Sequence, residues 1–364
     1  MKISQIIQAL EILAPPALQE EYDNSGLAVG NTEIDAENCL VCLDVTEQVL
    51  DEAVSTNSRL VISHHPLIFR SLKSITGKSL TEKLLIKAIQ NNITIYSLHT
   101  NLDNVSNGVN GILCRKLGLK NLRVLKSSSG QLRKLVTFCP ADHAEKVRNA
   151  LFDAGAGNIG NYDSCSFSSE GYGSFRANED ANPFVGKIGQ VHFEKEARIE
   201  VIYPFYLEHG IINAMRKVHP YEEVAYDIYP LANDSVLTGA GMIGVTEQDY
   251  NEHDFLQLIK KILMTGSLRH SRSLMKQIRK VAVCGGSGSF LLEEAISQGA
   301  DVFITADLKY HSFFEAEGKI LLIDAGHFET EQFSCELITD SLKKKFPKFA
   351  VRISQSGSNP VNYF

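Results

Sequence analysis

No surplus of positive charge runs through this sequence. Lys and Arg number 36 against 43 Asp and Glu, a formal net charge of −7. A broad basic field that would gather nucleic acid or anionic lipid is absent, so nucleic acid is not expected among the partners. No apolar run is long enough to span a bilayer, and no membrane partner is expected. The opening stretch MKISQIIQALEIL is amphipathic and carries Glu11. It lacks the apolar core and cleavage site of a secretory leader, and the expected location is cytoplasmic. An even cysteine set is also missing: seven cysteines in 364 residues argue against a disulfide framework. Cys39 and Cys42 have C-x-x-C spacing, but they lie in CLVCLDV, a strand pattern whose alternation turns them to opposite faces. The glycine-rich CGGSGSF, residues 284–290, lacks the lysine of a phosphate-binding loop and the spacing of a dinucleotide fingerprint. It reads as a tight turn, or as an anion cradle where a helix starts.

What the chain does have is short apolar strands alternating with amphipathic helices. LVCLDV, RLVIS and ITIYS read as buried strands. TEQVLDEAVSTN, capped by Thr46, and SLTEKLLIKAIQNN, with Ser79 and Glu82 spaced for a capping box, read as helices. That order predicts a largely parallel sheet covered by helices. The unit recurs: the stretch from KVAVCGG to TADLKYH aligns with that from CLVCLDV to SHHPLIF, setting His65 beside Asp307. The pattern reads as an internal duplication. The expected fold class is therefore α/β, with two similar halves forming one domain, their strand ends sharing a cleft. Between the halves the pattern changes to strand, helix, strand, helix, strand, around a Gly, Ser and Asn-rich segment. This predicts an inserted α+β domain of the ferredoxin-like kind over residues 131–231. The flanking halves then cover residues 1–126 and 236–364. Within the insert, RKVHPYEEVAYDIYP carries His219, Glu222 and Glu223, but its aromatics and Val224 favour packing or a subunit contact over metal.

Three strand ends finish on side chains that bind metals. LVIS ends on His64-His65, ITIYS leads to His99 and Asp103, and LLID leads through Ala-Gly to His327 and Glu331. On a helix, His327 and Glu331 share one face. Two adjacent buried imidazoles need partners for four ring nitrogens, which a simple turn does not supply. His99 is either a ligand or a group that orients one, and Asp103 either a ligand or a helix cap. Imidazole with carboxylate suits zinc, iron, manganese or nickel. Several donors suit two ions better than one, with Glu331 as the natural bridge.

These stretches carry a resemblance. YDNSGLAVG, SHHPLIF, HTNLDN, CGGSGS, TADLKYH and IDAGHFETE together resemble the GTP cyclohydrolase 1 type 2 homolog family, the NGG1-interacting-factor-like proteins. One departure is Tyr22, where the family usually has tryptophan. The resemblance implies a dinuclear metal-binding domain with His64, His65, Asp103, His327 and Glu331 as ligands and Glu331 shared. It also implies that the insert is similar to small trimeric signalling and copper-tolerance proteins, and that the chain forms a toroidal homohexamer. The expected function is a divalent-metal-dependent hydrolase holding two divalent ions per chain, zinc first, with iron, manganese or nickel as alternatives. A bridging water would attack a nucleotide or other phosphorylated small molecule, with His99, Asp307 and His311 as the assisting catalytic residues. The rival expectation is a non-catalytic, metal-dependent ligand-binding or regulatory protein.

Overall fold

The computed structural model describes residues 1–316 and 318–363; residue 364, the end of the last predicted segment, lies outside the described residues. The chain divides into two compact units, Met1–Ser127 with the chain from Leu237 onward, and Ser128–Val236. The larger unit has an α/β fold built on two mixed sheets with helices against them.

Its first sheet runs Gly26–Val29, Thr94–Ser97, Leu60–Ser63, Asn38–Cys42, Ala350–Ile353 in spatial order. The last four strands are parallel and the first is antiparallel to its neighbour. Alternate side chains serve opposite faces. Leu40, Val61 and Ile95 pack with Val49, Leu50 and Ala88 of the helices Glu47–Ser55 and Leu80–Gln90. Val41, Leu60, Ile62 and Tyr96 pack on the other side with Ile3, Ile6 and Leu10 of helix Ile3–Leu13 and with Ile338 and Leu342 of helix Phe333–Lys345. Both faces are covered, which explains why these strands read as continuous apolar runs. Each fully buried Leu, Ile or Val contributes about 1.5–3 kcal/mol. Thr46 caps its helix as its position predicts, accepting a hydrogen bond from the Val49 N–H.

The second sheet runs Arg269–His270, Leu321–Asp324, Val302–Ala306, Gln277–Ser287, Gly239–Asn251, Lys120–Ser127. Its middle three strands from Leu321 to Ser287 are parallel. Here too Val281, Val283, Val302 and Ile304 serve one face, and Ala282, Cys284 and Phe303 the other. The halves exchange edges. Lys120–Ser127, from the first stretch of chain, pairs with Gly239–Asn251 in the second sheet, and Ala350–Ile353, from the end, pairs with Asn38–Cys42 in the first.

The smaller unit has one antiparallel sheet ordered Phe167–Arg176, Val191–Pro204, Leu132–Pro140, Tyr226–Pro230. Helices Ala144–Asp153 and Glu208–Val218 bury Val147, Leu151, Ile211 and Met215 in its core. Among the described residues no helix is long and apolar enough to cross a membrane.

Candidate metal centre

The backbone holds the histidine pair after its strand has ended. The His64 N–H donates to the Cys42 carbonyl at 3.1 Å and the His65 N–H to the Leu43 carbonyl at 3.0 Å, so the parallel ladder runs on. Pro66, with no N–H, follows. Each ring is then fixed by its Nδ1. That of His64 lies 2.7 Å from the Leu98 carbonyl, and that of His65 lies 2.7 Å from Asp44 Oδ1. A carbonyl only accepts, so His64 Nδ1 carries the hydrogen and its Nε2 offers a lone pair. His64 is fully buried, and that Nε2 has no hydrogen-bond partner among the described residues.

The third imidazole comes from the second sheet. After strand Leu321–Asp324, Gly326 turns the chain at φ +94° and the helix His327–Glu331 begins. His327 Nδ1 lies 2.7 Å from Asp307 Oδ2. Glu331, one helical turn on, is 3% exposed and reaches inward. Its Oε2 is 2.9 Å from His65 Nε2, 3.0 Å from His327 Nε2 and 3.8 Å from His64 Nε2. One carboxylate oxygen thus faces three imidazoles whose outer nitrogens are already engaged. Asp103, at the end of helix Thr100–Asp103, puts Oδ1 at 3.7 Å from His64 Nε2; that oxygen is buried with no hydrogen-bond partner among the described residues. Asp103 does not cap the next helix, Val109–Lys116, whose capping position is Gly108.

The electrostatics favour added positive charge. Burial opposes a charge on His65, but Asp44 and Glu331 outweigh it and lift its pKa to about 9. Hydrogen bonds to Asp307 and Glu331 lift His327 to about 11. Burial favours neutral Glu331, yet hydrogen bonds from His327 and His65 hold its carboxyl well below the usual range. Burial pushes Asp103 up, with His64 pulling the other way. Two buried orphan atoms, and imidazole Nε2 atoms converging on one carboxylate oxygen, fit a cation that would take the place of the imidazole protons. The donor atoms of His64, His65 and Glu331 lie within 4.8 Å of one another, a metal-binding cluster with donors for at least one divalent ion.

The glycine-rich turn packs against this cluster. Its amides are taken by side chains: Gly285 N–H donates to Asn110 Oδ1 (2.8 Å), Gly286 to Thr330 Oγ1 (3.0 Å) and Gly288 to Thr305 Oγ1 (2.9 Å). Gly286 has φ +59°, and a Cβ there would collide with Glu331 Oε1. The turn leaves room for the buried carboxylate.

His99 stands beside the cluster, its ring centroid 5.5 Å from those of His64 and His65. Its Nδ1 lies 2.7 Å from Asp23 Oδ1, and Asp23 also accepts from Ser25 and Thr100. Asp307 holds His327 from a left-handed backbone at φ +56°. His311 is not brought to the cluster; it is exposed and packs against Tyr310 and Phe314. Sequence reading missed Asp23 and Asp44. The available signal for Asp44 was its place just past strand Asn38–Cys42. Two cavities flank the histidines. One of about 710 Å³ is walled by Tyr22, Phe69, His99, Asp103, Ser287 and Phe290. The other, about 450 Å³, is walled by Asp44, Arg269, Asp307, Asn359 and Tyr363, with His65 and His327 on both walls.

Comparison with known proteins shows the family. The profile of the Duf34/NIF3 (NGG1p interacting factor 3) family matches residues 1–360. The chain is 41% identical to a GTP cyclohydrolase 1 type 2 homolog of Halalkalibacterium halodurans over 94% of each chain. It is 39% identical to a protein of the same description from Bacillus subtilis, over 99% of this chain and 98% of that one. Among solved structures, a Bacillus cereus protein related to NIF3 superposes with a TM-score of 0.89 at 38% identity, over 100% of this chain and 99% of that one.

Proposed function

Because the chain belongs to the Duf34/NIF3 family and carries a His and carboxylate cluster, we propose that it is a divalent-metal-dependent hydrolase with a dinuclear centre. The observation that carries the proposal is Glu331 Oε2, set among three imidazoles, with His64 Nε2 and Asp103 Oδ1 buried and unpartnered nearby. His64, His65, Asp103, His327 and Glu331 would hold two ions, with Glu331 shared between them. Zinc suits three imidazoles best, and iron, manganese and nickel accept the same donors. Divalent ions there supply Lewis acidity that activates water for attack on an electrophilic carbon or phosphorus.

The chain's own residues do the rest. Asp44 and Asp307 orient His65 and His327 and raise their basicity. His99, held by Asp23 on the wall of the larger cavity, is placed to take or give a proton. Tyr22, Phe69 and Phe290 on that wall offer apolar surface to a substrate, which we take to be a nucleotide or other phosphorylated small molecule. We further propose that the smaller unit is the ferredoxin-like insert expected over 131–231. Its strand order supports this, as does the placing of one helix after the first strand and one after the third. From the family resemblance we add a cytoplasmic location and a homohexameric ring, which light scattering would read as six times the 40.3 kDa chain.

The test is hydrolysis of a panel of nucleotides and phosphoesters by metal-loaded protein and by His65→Ala. Turnover in the parent and its loss in a folded variant support the reading. Equal turnover in both contradicts it. Two bound ions with no turnover on any substrate would favour the ligand-binding or regulatory alternative.

A further inference from the structure

The smaller unit holds a cavity of about 670 Å³, within the range of small-molecule sites. Its floor carries a carboxylate. Glu196 is 9% exposed, and its Oε1 accepts a hydrogen bond from the Tyr221 hydroxyl at 2.8 Å. Its Oε2 has no hydrogen-bond or ion partner among the described residues. Gly173 stands against that oxygen; a Cβ there would collide with it. The walls are aromatic: Phe175 and Phe184 lie with ring centroids 6.1 and 6.3 Å from that of Tyr221, and Phe138 also lines the space.

The wall charges do not neutralise Glu196. Arg198 shares Glu200 with Lys134, at 2.9 and 3.0 Å, and Glu170 pairs with Lys195 at 2.8 Å. Glu222 accepts the Asn182 N–H, and neither it nor Glu223 has an ion pair among the described residues. Among the described residues Arg176 has no ion pair either, but the unpaired Glu196, Glu222 and Glu223 outnumber it, so the balance is acidic. A buried carboxylate with a free oxygen, in a cavity lined by aromatic rings, favours a positive ligand with apolar bulk, since a ring face attracts a cation. We propose that this cavity is a binding site for an organic cation, an amine or quaternary ammonium whose charge pairs with Glu196 and whose apolar part packs on Phe175, Phe184 and Tyr221. The proposal is independent of the metal centre.

The test titrates benzyltrimethylammonium into the full-length, metal-loaded protein by calorimetry, with phenylacetate as the anion of similar shape. Saturable binding of the cation, one per chain, with none of phenylacetate, is expected. Glu196→Gln keeps an acceptor for Tyr221 and should weaken binding on the order of tenfold. Phe184→Ala alters an exposed ring, leaves Glu196 and Tyr221 in place, and should weaken it severalfold. Glu331→Gln, in the other unit, should bind the cation as the parent does. Equal binding of phenylacetate, no saturation by the cation, or parent-like affinity in both cavity variants overturns the proposal.

Discussion

Each sheet of the larger unit ends a parallel strand in the same device. Thr94–Ser97 is followed by His99 and, four residues on, Asp103; Leu321–Asp324 is followed by His327 and, four residues on, Glu331. In both, a short helix holds the carboxylate, and in both an aspartate sits 2.7 Å from the histidine Nδ1, Asp23 in one and Asp307 in the other. The outcomes differ. Glu331 is one methylene longer, and Gly286 leaves it space, so one oxygen reaches His65 and His327. The Asp103 carboxylate stops 3.7 Å from His64, and its Oδ1 has no hydrogen-bond partner among the described residues. The same local design therefore yields a shared centre on one side and a flank on the other. Side-chain length and the clearance opposite it decide which.

The largest break in this comparison should come from Gly286→Ala. The left-handed backbone costs a non-glycine residue about 1–2 kcal/mol. The added Cβ would also push Glu331 out of place. Metal content should fall below one ion per chain, read by elemental analysis beside a urea midpoint. Asp103→Asn should have a half-sized effect, removing one ion while His65, His327 and Glu331 keep the other. Two ions retained there would show that the shorter carboxylate plays no part.

The two histidine anchors sharpen the contrast. Asp307→Asn should weaken metal binding about 10–100-fold in a chelator competition, because it removes the partner of a ligand. Asp23→Asn should leave that affinity unchanged, because His99 lies outside the donor set. Its smaller effect is on stability. Burial opposes the Asp23 charge, but hydrogen bonds from His99, Ser25 and Thr100 hold its carboxyl far below its ordinary value of 3.8. A depressed folded pKa adds stability above the unfolded value and loses it as pH falls. The unfolding free energy of the parent, from urea titration, should exceed that of Asp23→Asn by about 1–3 kcal/mol at neutral pH. The gap should close as pH drops below 3.8.

Much of this contrast was legible in the residues. His64-His65 after an apolar strand and the His327 to Glu331 spacing are local signals, and the structure brings those four side chains together. The break in pattern near residue 130 was local too, and a separate compact unit begins at Ser128. What escaped was non-local. Asp23 and Asp44 meet His99 and His65 across 76 and 21 residues, and an isolated aspartate in a turn does not announce its partner. The exchanged strands Lys120–Ser127 and Ala350–Ile353 look like any edge strand, and only three-dimensional packing assigns them to the opposite half's sheet. His311, in the same TADLKYH stretch as Asp307, is exposed and packs on Tyr310 and Phe314.

The central claim is that Glu331 is one carboxylate serving two ions. The direct measurement is metal content per chain, on protein purified without a histidine tag and reconstituted anaerobically, beside Glu331→Gln. Two ions in the parent and at most one in the variant are predicted. No bound metal in the parent, or the same content in both proteins, would contradict it.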